Sequence, residues 1–505
     1  MKRWATAAVL VASVLGAQVA RAQAIQNVVL RNSFNPIGAG ARGLGMGGAF
    51  IAVADDGTAS SFNPAGLAQL RRTEFAAVGF TDRLNSTVVV PTTGAEQQSF
   101  GSHVRHERPD FFGLSLPFDV GGHNLTVQIS YQRAVDLFGQ GRATVQDTIA
   151  LADLDPDLKG TGDVIADIVP TQSGAFQTAS LSAGYQVTSR LALGASVNYW
   201  FAHWTAKGQN TFRLRVRPTG SSRTVEVPLV TTNFLQEQKV RGLNVNAGFL
   251  LKYTRLSVGG VVRLPYAGDY NLTEGDSQVA FDQGQAEPAR PIDFDVKTRL
   301  HWPLSAGVGV ALRPLRGLTL AGDFTQSHWS RTSIDDVPAG ALLTPEKRDA
   351  NGNPEDSFTN RNFFDLLPSS ETGTSDTSQW RAGGEYLVTF IPKVVVPLRG
   401  GLFRDRSPVS DLASNEGRRI KGWTAGTGLN FAHVVLDVAF ERRESEGVVS
   451  LRLRAGQPVN LASAPHETVR EDRVVASLIY RFADNDPLKR ALRYLFVGPE
   501  EKEKP

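Results

Sequence analysis

The stretch Leu191-Ala192-Leu193-Gly194-Ala195-Ser196-Val197-Asn198-Tyr199-Trp200-Phe201 decides the fold. Leu191, Leu193, Ala195, Val197, Tyr199 and Phe201 fall on one face, and Ala192, Gly194, Ser196, Asn198 and Trp200 on the other. A period of two is the mark of a strand, whose successive side chains point to opposite faces. Residues 243–253 repeat it, with Leu243, Val245, Ala247, Phe249, Leu251 and Tyr253 alternating with Asn244, Asn246, Gly248, Leu250 and Lys252. So do 124–132 and 433–441.

A soluble sandwich also alternates, with its apolar face turned inward. Three features point to the inverted arrangement, with lipid outside and polar groups lining a lumen. The strands run roughly 10–14 residues, against about 5–6 in globular sheets. Their polar faces carry Gly, Ser, Asn, Gln and Thr rather than Lys and Glu. Aromatics recur at strand ends, at Tyr131, Tyr199, Tyr253, Tyr266, Phe431 and Tyr480, where a membrane barrel has its girdles.

Fourteen strands are expected, near 73–81, 110–118, 123–134, 174–187, 190–204, 241–254, 255–266, 297–312, 317–331, 378–390, 394–405, 420–431, 433–443 and 470–482. Short turns alternate with long loops, over 82–109, 135–173, 205–240, 267–296, 332–377, 406–419 and 444–469. That is the connectivity of an even-numbered antiparallel transmembrane barrel with both termini in the periplasm. Closure is obligatory, because an open edge would leave backbone polar groups unpaired in hydrocarbon. The fold class is therefore all-β.

Residues 1–22 read as a secretory signal: Lys2 and Arg3, an apolar run from Ala5 to Gly16, then Ala20-Arg21-Ala22 as the cleavage site. The run is too short to span a bilayer. Removing it deletes three of the 53 basic residues and no acid, so the formal +3 of the chain belongs to the signal. A neutral mature chain gives no footprint for nucleic acid. The chain has no cysteine, which excludes disulfides, thiolate metal sites and a cysteine nucleophile. The expected organisation is signal peptide 1–22, N-terminal plug 23–70, barrel 71–482 and periplasmic tail 483–505, with a short helix over 487–497.

The plug differs in character. Gly38, Gly40 and Gly43 match G-x-G-x-x-G, but no βαβ unit surrounds them. A compact glycine-rich segment is the simpler reading. Asp55 and Asp56 are expected to bind backbone N–H groups or a wall arginine, with Arg255, Arg263, Arg473 and Arg481 as candidates. Paired catalytic or metal carboxylates are the other possibility for them. Asn63-Pro64 reads as a turn.

The run Gly45-Met46-Gly47-Gly48-Ala49, the Ala54-Asp55-Asp56 step and the Asn63-Pro64-Ala65-Gly66 turn resemble the N-terminal hatch of the FadL/TodX outer-membrane transporter family. PorV-type barrels share this opening. The resemblance implies a monomeric fourteen-stranded barrel in the bacterial outer membrane, plugged by its own N-terminus. It also implies passive admission of hydrophobic compounds such as long-chain fatty acids, by binding in the barrel and movement of the hatch. A scaffold associated with secretion and without transport is the alternative. Family resemblance further implies sideways release at a kink in the third strand, yet 124–134 contains no Gly or Pro, so the sequence places no exit there.

Other partners expected are outer-membrane lipid and lipopolysaccharide, and the barrel assembly machinery through the closing strand ending at Phe482. Residues 148–169 form an apolar loop with helical spacing, in which Leu151, Leu154, Ile165 and Ile168 could line a groove admitting ligand. Arg213, Arg215 and Arg217 could attract a carboxylate or lipopolysaccharide phosphates. No cofactor and no metal is called for. His103-x-x-His106 has metal-like spacing but lacks a supporting carboxylate on a helix, and no G-x-S-x-G elbow is present, so the chain does not read as an enzyme.

Overall fold

The computed structural model describes residues 34–483, apart from 36, 91–97, 141–142, 151–159, 217–223, 283–284, 287–289, 336, 339–356, 359–373, 411–415 and 449–465. Residues 1–33, which contain the expected signal peptide, and residues 484–505, with the expected helix over 487–497, lie outside the described residues. Among the described residues no helix is long and apolar enough to cross a membrane.

Fourteen strands close into one antiparallel sheet. They are β1 (Glu74–Val90), β2 (Gln98–Val120), β3 (His123–Asp136), β4 (Thr161–Gln186), β5 (Leu191–Val216), β6 (Val225–Lys252) and β7 (Leu256–Arg263). Then come β8 (Ser305–Leu315), β9 (Leu318–Ser327), β10 (Thr377–Ile391), β11 (Val394–Ser410), β12 (Gly417–Phe431), β13 (Val434–Val448) and β14 (His466–Arg481). β14 pairs with β1 from Glu74↔Arg481 to Val89↔His466, which leaves the barrel without an edge. β7 is extended upward by Tyr266–Asp282 and β8 is preceded by Arg290–Trp302. The interruptions fall at Leu264-Pro265 and Pro303-Leu304, where proline has no N–H for the ladder.

Burial is inverted as lipid requires. Leu402, Leu243, Val308 and Leu181 point outward and are each more than half exposed, while Thr126, Gln128 and Ser196 are buried inside. The long connections are shorter than expected. Much of 82–109, 205–240 and 267–296 is strand, paired up to Val90↔Gln98, Val216↔Val225 and Gln278↔Arg290. Above the membrane both faces of a strand can be polar, so the alternation that marks it fades. The helical spacing in 148–169 is not realised either: Ala143–Ala150 pairs antiparallel with the start of β4. Tyr266 is a further correction. It lies inside, stacked against Trp200 with ring centroids 6.0 Å apart, rather than in an outer girdle.

Backbone pairing in the wall lapses between β2 and β3. β2 and β3 pair from Val120↔His123 only as far as Phe111↔Gln132. Higher up, β2 pairs with β1 alone, and β3 with β4 alone. Two bulges border this seam: Asp110 stands unopposed where Val78↔Phe111 gives way to Gly79↔Pro109, and Ala134 where Arg133↔Gln177 gives way to Val135↔Phe176. A bulge bends its strand and ends regular pairing.

Candidate functional site

Residues 34–70 lie inside the barrel and carry three short helices, α1 (Ala41–Gly45), α2 (Ala59–Phe62) and a 3₁₀ turn (Pro64–Gln69). So short a segment leaves many backbone groups without a helical partner, and buried ones must be satisfied elsewhere. The barrel wall satisfies them from all sides. Ala41 N donates to Ser477 Oγ (2.6 Å) on β14, and Gly47 N to Thr424 Oγ1 (3.0 Å) on β12. Phe50 N and Ile51 N both donate to Asp323 Oδ2, at 2.7 and 2.9 Å, on β9. On β3, Asn124 Nδ2 donates to Ala68 O and Leu70 O, and Gln128 bonds Ser60. The small polar residues on the lumen face of the strands are thus the plug's hydrogen-bonding partners.

The hatch residues fall into three places. Gly45, Gly47 and Gly48 form the α1 end, packed on β10–β12. Gly47 has φ 70°, and a Cβ there would sit 2.7 Å from Ala382 O, so both conformation and space demand glycine. Arg381 Nη1 donates to Gly47 O at 2.9 Å. Asn63 is fully buried at the opposite wall. Its Oδ1 accepts from Ala65 N (3.1 Å), and its Nδ2 donates to Ile51 O (3.0 Å) and to Phe249 O (2.9 Å) on β6. Pro64 starts the 3₁₀ turn, whose Ala65 and Gly66 are buried, and Gly66 N donates to Asn63 O. Gly38 and Gly43, from the G-x-G-x-x-G match, flank the Phe62 ring, which a Cβ at either would approach to 2.5 Å.

Asp55 and Asp56 occupy the third place; Asp56 accepts from a backbone N–H, that of Thr58 at 2.9 Å, but the arginine that binds the pair is none of the wall candidates. Arg42, within the plug, reaches Asp55 Oδ1 at 2.6 Å and Asp56 Oδ2 at 3.5 Å. Asp56 Oδ1 also accepts from Thr58 N and Oγ1. The wall contributes an acid, not an arginine: Glu385 on β10 accepts from Arg42 Nη2 (2.9 Å) and from Arg399 Nε (2.7 Å), and Arg399 continues to Asp437 (2.7 Å). Of the four arginines proposed from sequence, Arg473 pairs with Asp82 and Arg481 with Glu74, while Arg255 is exposed. The fourth, Arg263, has no acidic partner among the described residues, and its Nη1 is buried without a hydrogen bond.

Arg263 faces a cavity above the plug that encloses about 850 Å³ of empty space, part of it open to solvent. Its floor is polar, with Ser130, Ser180, Asn198 and Asn244, and Arg263 is the one cation in its lining among the described residues. Its roof is aromatic. Phe34 packs edge-on against Trp329 at 6.3 Å, Trp302 meets Trp329 at 5.0 Å, and Trp200 lies 6.2 Å from Trp302. Behind them Leu272, Val296, Leu300 and Ile334 extend the apolar wall. Asn35 pins this end of the plug by donating to Asp405 Oδ1 and accepting from Trp329 Nε1. Gln132, Ala134 and Val135 of β3 complete the cavity beside the seam.

Other residues singled out from sequence lie elsewhere. Leu151 and Leu154 are outside the described residues. Ile165 is buried in β4, where its backbone lies opposite Arg213, and Ile168 lies opposite Asn210. Arg213 is neutralised by Asp167 (2.5 Å) and Glu226 (3.2 Å), and Arg215 by Glu226 (2.7 Å). Arg217 is outside the described residues. His103 and His106 lie three apart on β2, so they face opposite sides: His103 is exposed and His106 is buried. They cannot share an ion. Sequence reasoning missed Arg42, Asp323, Arg381 and Glu385. For Asp323, Arg381 and Glu385 the available signal was a charge on the lumen parity of a membrane strand, which is costly unless it has work to do.

No family model matches this sequence, and no curated protein matches it. Solved structures do. A TodX monoaromatic hydrocarbon channel in a deltaS2 mutant form superposes with a TM-score of 0.51 at 12% identity, covering 89% of this chain and 100% of that one. The chain has the FadL-family fold. A Pseudomonas aeruginosa FadL homologue gives a TM-score of 0.48 at 15% identity, with 89% and 100% covered. The Ralstonia pickettii toluene transporter TbuX gives 0.47 at 15%, with the same coverage.

Proposed function

We propose that the protein is a passive outer-membrane transporter for hydrophobic compounds, with long-chain fatty acids as the substrate class. The two-sided cavity above the plug, aromatic on its roof and polar with an arginine on its floor, carries this reading. A scaffold needs no ligand cavity in its lumen, and an open porin would not fill its lumen with a plug. A fatty acid fits the two-sided chamber. Its chain desolvates against Phe34, Trp302 and Trp329, each CH₂ buried being worth about 0.8 kcal/mol. Its carboxylate meets Arg263, which offers a planar fork of donors with no acid already on it.

Ligand then leaves sideways through the seam beside Asp110 and Ala134, which adjoins the cavity. Movement of the segment around Phe34 opens the way in. The plug below, bonded to the wall on every side, keeps water from leaking through.

The test is uptake of labelled oleate and of toluene by cells lacking their own transporter. The wild-type chain should accelerate at least oleate, and Arg263→Ala should lower oleate uptake about tenfold while sparing toluene, because only oleate carries a charge for Arg263. A folded barrel that changes neither rate, and that co-purifies with a protein partner, would instead support the scaffold reading.

A further inference from the structure

We infer that the chain's own C-terminal segment, residues 487–497, docks on the periplasmic side of the plug, in a second cavity between the plug and β10–β14. The cavity lies at the lower ends of those strands, beside the short turns at 392–393 and 432–433, and encloses about 650 Å³ of empty space, part of it open to solvent. Its lining joins two chemistries: Leu387, Val395, Pro397, Val435 and Ile479 are apolar, and Asp55, Asp56, Glu385 and Asp437 are acids. Leu387 shares the lumen parity of Glu385 yet is 41% exposed, which makes an apolar ledge at the cavity's mouth.

Acids outnumber cations around it. Asp55, Asp56, Glu385 and Asp437, with Glu74 behind Arg481 at 2.9 Å, stand against Arg42, Arg399 and Arg481. Lys252, also near Asp55, makes no ion pair with it among the described residues and donates instead to Gln69 at 2.8 Å. Two of the lining carboxylates keep an oxygen unused. Asp56 Oδ2 and Asp437 Oδ2 are buried and accept no hydrogen bond, although Arg42 stands 3.5 Å from the first. Both residues are more than nine-tenths buried. A buried acceptor without a donor is costly. A water would supply the hydrogen bond but not the missing positive charge, whereas a cation entering the cavity supplies both.

The chain carries such cations past the cavity's rim. Arg481 lines the cavity, and Phe482 N donates to Thr73 O at 2.9 Å, so the chain leaves β14 at that rim. Residues 487–497, outside the described residues, contain Lys489, Arg490 and Arg493 and no acid. Leu488, Ala491, Leu492, Leu495 and Phe496 follow the i, i+3, i+4, i+7, i+8 spacing of an amphipathic helix. Such a helix would be about 16 Å long, and the four strand spacings from β14 to β10 come to about 19 Å. Residues 484–486 supply a link of about 10 Å. The segment thus has the reach, the cations for Asp56 and Asp437, and an apolar stripe for the ledge at Leu387. A bare metal ion would answer the charge and leave the ledge uncovered.

The test uses thiol labelling, since the chain has no cysteine of its own. Asn430→Cys places a thiol in the cavity's lining, and Ser189→Cys places one on the exposed turn between β4 and β5. In the full chain a charged maleimide should label Asn430→Cys at least about tenfold more slowly than in a chain ending at Asp486. Full-length Lys489→Glu/Arg490→Glu/Arg493→Glu should label as fast as the shortened chain. Ser189→Cys should label at one rate in all three. Heat-dependent gel mobility reports that each barrel is folded. Equal labelling of Asn430→Cys across the folded chains would overturn the docking. Protection that survives loss of the segment and disappears in EDTA would overturn it too, because a metal ion would then be the occupant.

Discussion

Asn63 concentrates three jobs in one side chain. It caps the 3₁₀ turn at Ala65, ties the turn to Ile51 and ties both to the wall at Phe249. Asn63→Ala leaves two buried carbonyls without this donor, each costing about 1–3 kcal/mol. The plug should loosen while the barrel persists, so the variant should leak ions in planar bilayers and sensitise cells to large antibiotics. Arg42→Ala removes the cation between Asp55, Asp56 and Glu385, and breaking such a buried network costs about 3–5 kcal/mol. Urea unfolding of the plug should shift accordingly, and Arg42→Ala/Glu385→Gln should recover part of the loss. A turn at Asn63-Pro64 could be read from two adjacent letters. The wall end of the Asp55–Arg42 network could not, because Glu385 lies more than three hundred residues away and is found only once every strand register is known.

Strands were legible from sequence wherever lipid wets one face, since hydrocarbon enforces alternation along the whole membrane crossing. They were illegible above it where polar residues fall on both faces, as in the upper part of β6, with Gln236 and Gln238 buried and Lys239 exposed. The break at Leu264-Pro265 misled the reading in another way: Tyr266 ends one strand by position, yet its ring turns into the lumen beyond the break. The seam between β2 and β3 was equally hidden, because its bulges arise at Asp110 and Ala134 without any glycine in 124–134. His106 crosses that seam, its ring stacked on Phe138 at 4.0 Å and its Nε2 3.1 Å from Asp136. With no native cysteine to interfere, a His106→Cys/Phe138→Cys pair can lock the seam. Oxidation should stop delivery of ligand while leaving ligand binding intact, and reduction should restore delivery. Unchanged delivery in the oxidised form would move the exit elsewhere and leave the binding cavity standing.

The whole molecule is a closed wall around a lumen with two different sides. Charged residues of β9–β14 hold the plug, and aromatic and aliphatic residues of β4–β8 line the chamber above it. Barrel closure rests on wall-to-wall backbone ladders and on ion pairs such as Arg481–Glu74 between the first and last strands, so a chain lacking residues 41–70 should still insert and should conduct ions steadily where the full chain is silent. The central claim is that the chamber under Trp302 and Trp329 is built for an amphipathic acid. A structure determined with a long-chain fatty acid brominated on its tail tests this most directly. Bromine density among Phe34, Trp302 and Trp329, with the carboxylate on Arg263, is the predicted result. An empty chamber with bromine only on the barrel's outer surface would contradict the account.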